Sequence, residues 1–400
     1  MTKALLLMAP CCFLFVSCSN DHPVEKLNME FTSAMPKSIS RVQGSVAPWL
    51  VPESEGQVLS AKTQSRQTVL FRSGVAGIAC YRIPALVTAP NGDLLVAADQ
   101  RVPSCADLRG NEDINIVIRR SRDNGTTWTK TESIIDHPAG ISASDPSMIV
   151  DNITGDIFLF YNFMDLTREK DIYYFHVMKS SDNGLSWSEP YDLTDQISLP
   201  EWHRDFKFIT SGRGVQTAEG TLLHCLVRLN KGVYLFGSND HGQHWSLIGT
   251  PVSPADESKI VELADGRWMI NSRVNSAGLR YCHLSDDKGK SWLTYADSSL
   301  TDPGCNASIV SCKNIRQAYD KPLLIFSNPD HTSERINMTL KYSNDDGLSW
   351  SEGKTVFAGS SAYSSMSVLQ NGDVGLVFEK DNYQEIVFAR MPLEWITGDK

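Results

Sequence analysis

From about residue 66 onward, apolar residues come in short runs separated by polar turn clusters. Leu94-Leu95-Val96-Ala97-Ala98, Ile116-Val117-Ile118 and Ile157-Phe158-Leu159-Phe160-Tyr161 are three such runs. Leu222 to Val227, Leu323-Leu324-Ile325-Phe326 and Val374-Gly375-Leu376-Val377-Phe378 are three more. Runs of this length, bounded by Asn-Gly or Asp-Gly pairs, predict strands joined by tight turns. No stretch keeps a helical period, so the pattern predicts an all-β chain.

The strand pattern carries a repeat. The spacing Ser-x-Asp-x-Gly-x-Ser/Thr-Trp recurs as Ser121–Trp128, Ser180–Trp187, Ser285–Trp292 and Ser343–Trp350. A fifth copy, Ser238–Trp245, has His244 at the Ser/Thr position. In chain order the copies start 59, 58, 47 and 58 residues apart, which suits one four-stranded blade per copy. The chemistry of the repeat is that of a folded turn. Asp binds its own hairpin backbone, Gly supplies a positive φ, and Trp packs beneath. These aspartates are therefore read as structural.

The first 65 residues read differently. Lys3 precedes an apolar run from Ala4 to Val16, thirteen residues long and too short to span a bilayer. Phe15-Val16-Ser17-Cys18 follows and resembles a bacterial lipobox, with Phe15 where leucine is usual. This predicts a signal peptide over 1–18, lipidation at Cys18 and a tether over 19–65. The globular domain then covers 66–400. The expected location is outside the cytoplasm: a lipoprotein at the outer membrane or cell surface, or otherwise a periplasmic or secreted protein.

Composition narrows the partners. The formal net charge is −10, which argues against nucleic acid and against general binding to a membrane surface. The expected membrane contact is the N-terminal lipid alone. Of nine cysteines, Cys80, Cys105, Cys225, Cys282, Cys305 and Cys312 lie beyond the signal. Six allow fifteen pairings, and none has the spacing of a zinc site. No metal or cofactor is expected.

Several segments stand out as carriers of chemistry. Tyr81-Arg82-Ile83-Pro84-Ala85-Leu86 comes first, then Ala98-Asp99-Gln100-Arg101 with Ala106-Asp107. Glu257-Ser258-Lys259-Ile260-Val261-Glu262-Leu263-Ala264-Asp265-Gly266 is followed by Ile270-Asn271-Ser272-Arg273. Ser327-Asn328-Pro329 leads to Arg335-Ile336-Asn337-Met338-Thr339, and Ala362-Tyr363-Ser364-Ser365-Met366 follows the last repeat. Together with the repeats, known as Asp boxes, these segments resemble the bacterial exo-sialidase (neuraminidase) family over roughly residues 66–392.

That resemblance implies a six-bladed β-propeller with its site on the central axis. It implies release of terminal sialic acid from sialylated glycans: glycoproteins, mucins, gangliosides or oligosaccharides. Sialic acid bears a carboxylate on its anomeric carbon. Guanidinium forks suit that anion, and a neutral tyrosine hydroxyl is repelled by it less than a carboxylate nucleophile would be. The resemblance assigns Arg82, Arg273 and Arg335 to the carboxylate, Tyr363 as nucleophile, Glu257 as its base and Asp107 as acid. Arg101 is assigned to the sugar near O4, Asp145 either to the same place or to stabilising its own turn, and Glu379 to bracing Arg82.

Rivals stay open at several positions. Glu112 and Asp113 compete with Asp107, and Lys341 competes with Arg335. Glu262 lies out of phase with Glu257 on a strand and faces the other way. If Arg82 and Asp107 share a site, Cys80 and Cys105, each two residues upstream, are candidates to pair; buried free thiols are the alternative. Trp202 is a candidate for an aromatic rim, for the wall of an N-acetyl pocket or for a structural role. Two alternative functions remain: a non-catalytic sialic-acid-binding propeller, and a trans- or intramolecular sialidase.

Overall fold

The apolar runs form strands throughout. The computed structural model describes residues 67–312 and 322–399, all within one compact unit, Ser60–Lys400. The expected signal peptide, Cys18 and the tether lie outside the described residues. Among the described residues, helix is confined to Thr194–Ile197, Leu393–Thr397 and two short 3-10 turns.

Five sheets are arranged like a propeller. The first is a meander of Cys80–Thr88, Leu94–Arg101, Ile114–Ser121 and Glu132–Ile135. The second runs Ile141–Val150, Ile157–Asp165, Tyr174–Ser180 and Tyr191–Asp192, with Gly212–Arg213 added parallel to its first strand. Lys207–Ile209, Leu222–Arg228, Gly232–Ser238 and Ser246–Val252 make the third, and Val215–Gln216 pairs with its second strand. The fourth is Ser258–Glu262, Trp268–Ser272, Leu279–Ser285 and Leu293–Thr301.

The last sheet has seven strands where separate blades were expected. The cause is one 15-residue strand, Lys354–Val368. Its first half pairs with Ile336–Ser343 and its second half with Val374–Lys380. The far edge is Gln67–Arg72, taken from the start of the described chain and paired with Glu385–Met391.

The Asp boxes are the turns between third and fourth strands. In the first, Thr127 donates its amide and hydroxyl to the two Asp123 carboxylate oxygens at 2.8 and 2.6 Å. Hydrogen bonds from Thr127, Ser186 and Ser291 hold Asp123, Asp182 and Asp287 down to about 2, so these groups serve as fixed acceptors. His244 fills the hydroxyl's place in the odd copy: its amide and Nδ1 meet Asp240 at 3.0 and 2.7 Å. The glycines also join sheet to sheet. A Cβ on Gly125 would lie 2.0 Å from Phe388, and one on Gly242 would lie 2.2 Å from Phe158, both in neighbouring sheets.

Candidate active site

Two inner strands kink where they reach the axis. In Cys80–Thr88 the register slips between Arg82 and Ala85, with Ile83 at φ 58° before Pro84. In Ile141–Val150 it slips between Ser144 and Ser147, with Asp145 at φ 59° before Pro146. Each bulge frees an amide from its ladder, and a buried carboxylate takes it. Ile83 N donates to Glu379 at 2.8 Å, and Asp145 N donates to Asp99 at 2.9 Å.

Glu379 is fully buried and joins three parts of the site. It accepts from Arg82 Nε at 2.6 Å, from the Ile83 amide and from the Tyr363 amide at 3.1 Å. Arg82 lies against Tyr363 and Tyr383, 5.6 and 4.1 Å from their ring centres. Burial works against the charge of Arg82, but Glu379 outweighs it, and the pKa is raised.

Glu257 stands immediately before the strand Ser258–Glu262, and Arg273 immediately after its partner Trp268–Ser272. Tyr363 Oη donates to Glu257 Oε2 at 2.7 Å, and Arg273 Nη1 reaches the same oxygen at 2.5 Å. Arg273 Nη1 also lies 3.2 Å from the Tyr363 hydroxyl. Burial, then the Glu257 charge, push the Tyr363 pKa well above its ordinary value, while Arg273 and Arg335 pull the other way. The phenol therefore keeps its proton until a base removes it, and Glu257 is in contact with it.

Arg335 donates to Tyr383 Oη at 3.1 Å and to Gly304 O at 2.7 Å. Among the described residues it forms no ion pair, so its positive charge is free to meet an anion. These groups line a cavity of about 620 Å³ with Arg82, Asp107, Asp145, Glu257, Arg273, Arg335 and Tyr363 in its wall.

Asp107 sits on the loop after Leu94–Arg101, with 80% of its side chain exposed. Arg101 Nη1 holds it at 2.7 Å, and Arg82 is 4.0 Å away. Burial tends to raise its pKa, but Arg101, then Arg82 and Arg335, outweigh that and lower it. The loop is pinned by a disulfide between Cys80 and Cys105, whose Cα atoms are 5.5 Å apart. Cys225, Cys282, Cys305 and Cys312 are buried and free.

Asp145 lines the cavity. Burial, with Asp99 nearby, raises its pKa well above the ordinary value for an aspartate, and Asn162 Nδ2 donates to it at 3.0 Å. Arg101 is placed differently from the expectation. It does not line the cavity; it is fully buried and engages Asp99, Asp107 and the carbonyls of Cys105 and Ala106. Trp202 does not line it either. Its ring is buried against Tyr234 and Arg228. Aromatic wall is supplied by Tyr173, Phe206 and Phe208.

The rival residues fall elsewhere. Glu262 accepts from the Ala218 amide, Lys341 pairs with Asp330, and Asp113 binds Asn115. Glu112 is exposed and absent from the cavity wall. Sequence reasoning missed Asp99, Tyr383 and the aromatic wall of Tyr173, Phe206 and Phe208. Asp99 lay inside the Ala98–Arg101 segment, and its alternation with Arg101 on one strand face was the available signal.

Known proteins resemble this chain. The BNR repeat-like domain family matches residues 92–376. A sialidase of Bacteroides fragilis is 30% identical over 335 residues, covering 75% of this chain and 60% of its own length. A sialidase of Micromonospora viridifaciens is 33% identical over 360 residues, covering 82% and 53%. This chain belongs to the BNR repeat-like domain family. It spans 60% and 53% of the length of those two sialidases. Among solved structures, the Hadza microbial sialidase Hz136 superposes with a TM-score of 0.74 at 28% identity, covering 82% of this chain and 69% of the other.

Proposed function

We propose that this family member is an exo-sialidase that hydrolyses terminal sialic acid from glycans by retaining double displacement. One observation carries the reading: Tyr363 Oη lies 2.7 Å from Glu257 Oε2 in a cavity walled by Arg82, Arg273 and Arg335. The three guanidiniums receive the sugar carboxylate, and the unpaired charge of Arg335 makes that binding favourable. Glu257 takes the Tyr363 proton as the phenol oxygen attacks the anomeric carbon. The glycosidic bond breaks, and protonated Asp107 gives its proton to the leaving oxygen. Water then attacks the same carbon and passes a proton to Asp107, while Tyr363 leaves and recovers its proton from Glu257.

Asp107 must carry a proton in the first step, although Arg101 favours its ionised form. The incoming carboxylate neutralises positive charge around Arg82 and Arg335, which returns the proton to Asp107. Asp145, whose pKa burial raises, is placed in the cavity wall to meet a sugar hydroxyl. Arg101 acts through Asp107. The substrates are sialylated glycans, whether glycoproteins, mucins, gangliosides or oligosaccharides.

The same reading takes the sheets as six blades. Dividing the seven-stranded sheet at Lys354–Val368 yields two four-stranded units that share this strand. We also read the chain as an exported lipoprotein, since the Cys80–Cys105 disulfide suits an oxidising compartment. Labelled palmitate entering the wild-type protein but not Cys18→Ser checks this, and equal labelling of both would exclude it.

The test of catalysis is fluorophore release from an α-linked sialic acid glycoside. Wild type is expected to turn over, and Tyr363→Phe to lose at least about a hundredfold in kcat. A 3-fluorosialyl probe should label the peptide that contains Tyr363. Full activity in Tyr363→Phe would remove the nucleophile assignment. Free sialic acid as product, rather than an anhydro sugar or a transferred one, separates hydrolysis from the trans- and intramolecular reactions.

A further inference from the structure

Asp107 must sit where the leaving oxygen appears, yet its part of the loop is exposed. Pro103, Cys105, Ala106 and Asp107 are all exposed, and the Asp107 side chain is 80% so. The hydrogen bonds that hold this stretch run within its own hairpin. Arg101 Nη1 donates to Cys105 O, Ala106 O and Asp107, and Asn111 Nδ2 donates to Ser104 O and Ala106 O. Gly110 N donates to Asp107 O.

None of these bonds reaches Cys80–Thr88, the strand that carries Arg82. Arg82 itself stands 4.0 Å from Asp107, an ion pair without a hydrogen bond. Among the described residues, the covalent tie across this gap is the Cys80–Cys105 disulfide. Its cysteines stand two residues before Arg82 and two before Asp107. The bond therefore fixes the acid relative to the arginine that receives the sugar carboxylate, and so relative to the anomeric carbon that bears it. A misplacement of about 1 Å in such a group can cost on the order of a hundredfold in rate.

We propose, on the sialidase reading above, that the Cys80–Cys105 disulfide positions Asp107 to protonate the leaving oxygen, so that reducing it selectively slows the release of poor leaving groups. A sugar alcohol needs that proton to depart, whereas an aryl leaving group such as 4-methylumbelliferone departs as a stabilised anion. The reductant is a dithiol. One of its thiolates attacks the exposed Cys105 and displaces the Cys80 thiolate. Its second thiolate attacks the mixed disulfide, frees Cys105 and closes the dithiol into a cyclic disulfide. Each protein sulfur takes up one of the two protons that the dithiol gives up.

The test measures kcat/KM for sialyllactose and for a 4-methylumbelliferyl sialoside, in wild type before and after dithiothreitol and in Cys80→Ser/Cys105→Ser. This ratio reports the steps up to release of the leaving group, so the later role of Asp107 as base does not enter. Reduced wild type and the double variant are expected to lose at least about tenfold on sialyllactose, part of the roughly 10²–10⁴ that a general acid supplies, and less than about twofold on the aryl sialoside. Reoxidation should restore wild type, and dithiothreitol should leave the double variant unchanged. Equal losses on both substrates, or no loss on either, overturn the proposal. If the double variant does not fold, reduced and reoxidised wild type make the same comparison. If oxidised wild type cleaves neither substrate, the sialidase reading fails instead, and hydrogen exchange at the amides of residues 104–107 tests the tie alone. Faster exchange on reduction is expected there, and unchanged exchange overturns the positioning role.

Discussion

Tyr383 holds two of the three arginines at once. Its ring lies 4.1 Å beneath the Arg82 guanidinium, and its hydroxyl is 3.1 Å from Arg335 Nη1. The chain accepts strain to put it there: Asp381, Asn382 and Tyr383 have φ of 52°, 52° and 66° in succession. Each non-glycine residue in that region costs about 1–2 kcal/mol, and such runs persist where the surroundings impose them. Ser73 does part of this, donating its hydroxyl to Tyr383 O at 2.7 Å. Tyr383→Phe keeps the ring and loses the hydroxyl. KM for a sialoside is expected to rise at least about tenfold, the worth of one hydrogen bond to a charged group, with the melting temperature unchanged. A fall in melting temperature with KM unaltered would make Tyr383 structural instead. The sequence offered no local sign of this role. Tyr383 belongs to no repeat, and its function arises only where Glu385–Met391 and the Arg82 strand converge. Arg82, Glu257, Arg335 and Tyr363 were legible because each sits in a short segment whose neighbours also pack on the axis.

At the scale of the element, the box turns were readable because turn chemistry is local: the hydrogen bonds of Asp123 span four residues. Their second duty was not readable. Gly125 packs on Phe388, more than 250 positions away in the chain, and no spacing rule encodes that meeting. The long strand Lys354–Val368 was hidden for a related reason. Gly359-Ser360-Ser361 reads as a turn, yet pairing on both sides pulls it straight, and the misfit is taken up as register shifts at Ile336/Met338 and Ser361/Ser364. The count of boxes follows from topology. A box joins a third strand to a fourth, and in the closing unit the fourth strand is Gln67–Arg72, from the other end of the chain. No turn exists there to carry a sixth copy. The aromatic wall from Phe206 and Phe208 was likewise missed, because it rises at the start of a strand of only three residues, close to the more conspicuous Trp202.

On the scale of the whole molecule, that closing strand is the feature on which the ring depends. Gln67–Arg72 pairs with Glu385–Met391, from Gln67 opposite Ala389 to Arg72 opposite Glu385. Leu70 and Phe71 are buried in a cluster with Leu86, Val96, Val377 and Phe388, so the strand contributes core as well as hydrogen bonds. Arg119 Nη1 also donates to Leu70 O. Burying two such side chains is worth on the order of 3–6 kcal/mol, a large share of the 5–15 kcal/mol typical of a domain. The Arg72–Glu385 pair is exposed on the arginine side and adds little. A protein that starts at Ser73 is therefore expected to melt about 10 °C below one that starts at Arg66. The bare edge of Glu385–Met391 should also make it self-associate on gel filtration. Activity should fall with stability, because Ser73 and Glu379 anchor the segment that bears Tyr383 and Arg82. A monomer with the melting temperature of the longer protein would show that the ring holds without its closing strand, and the stability would then have to come from the contacts between sheets alone.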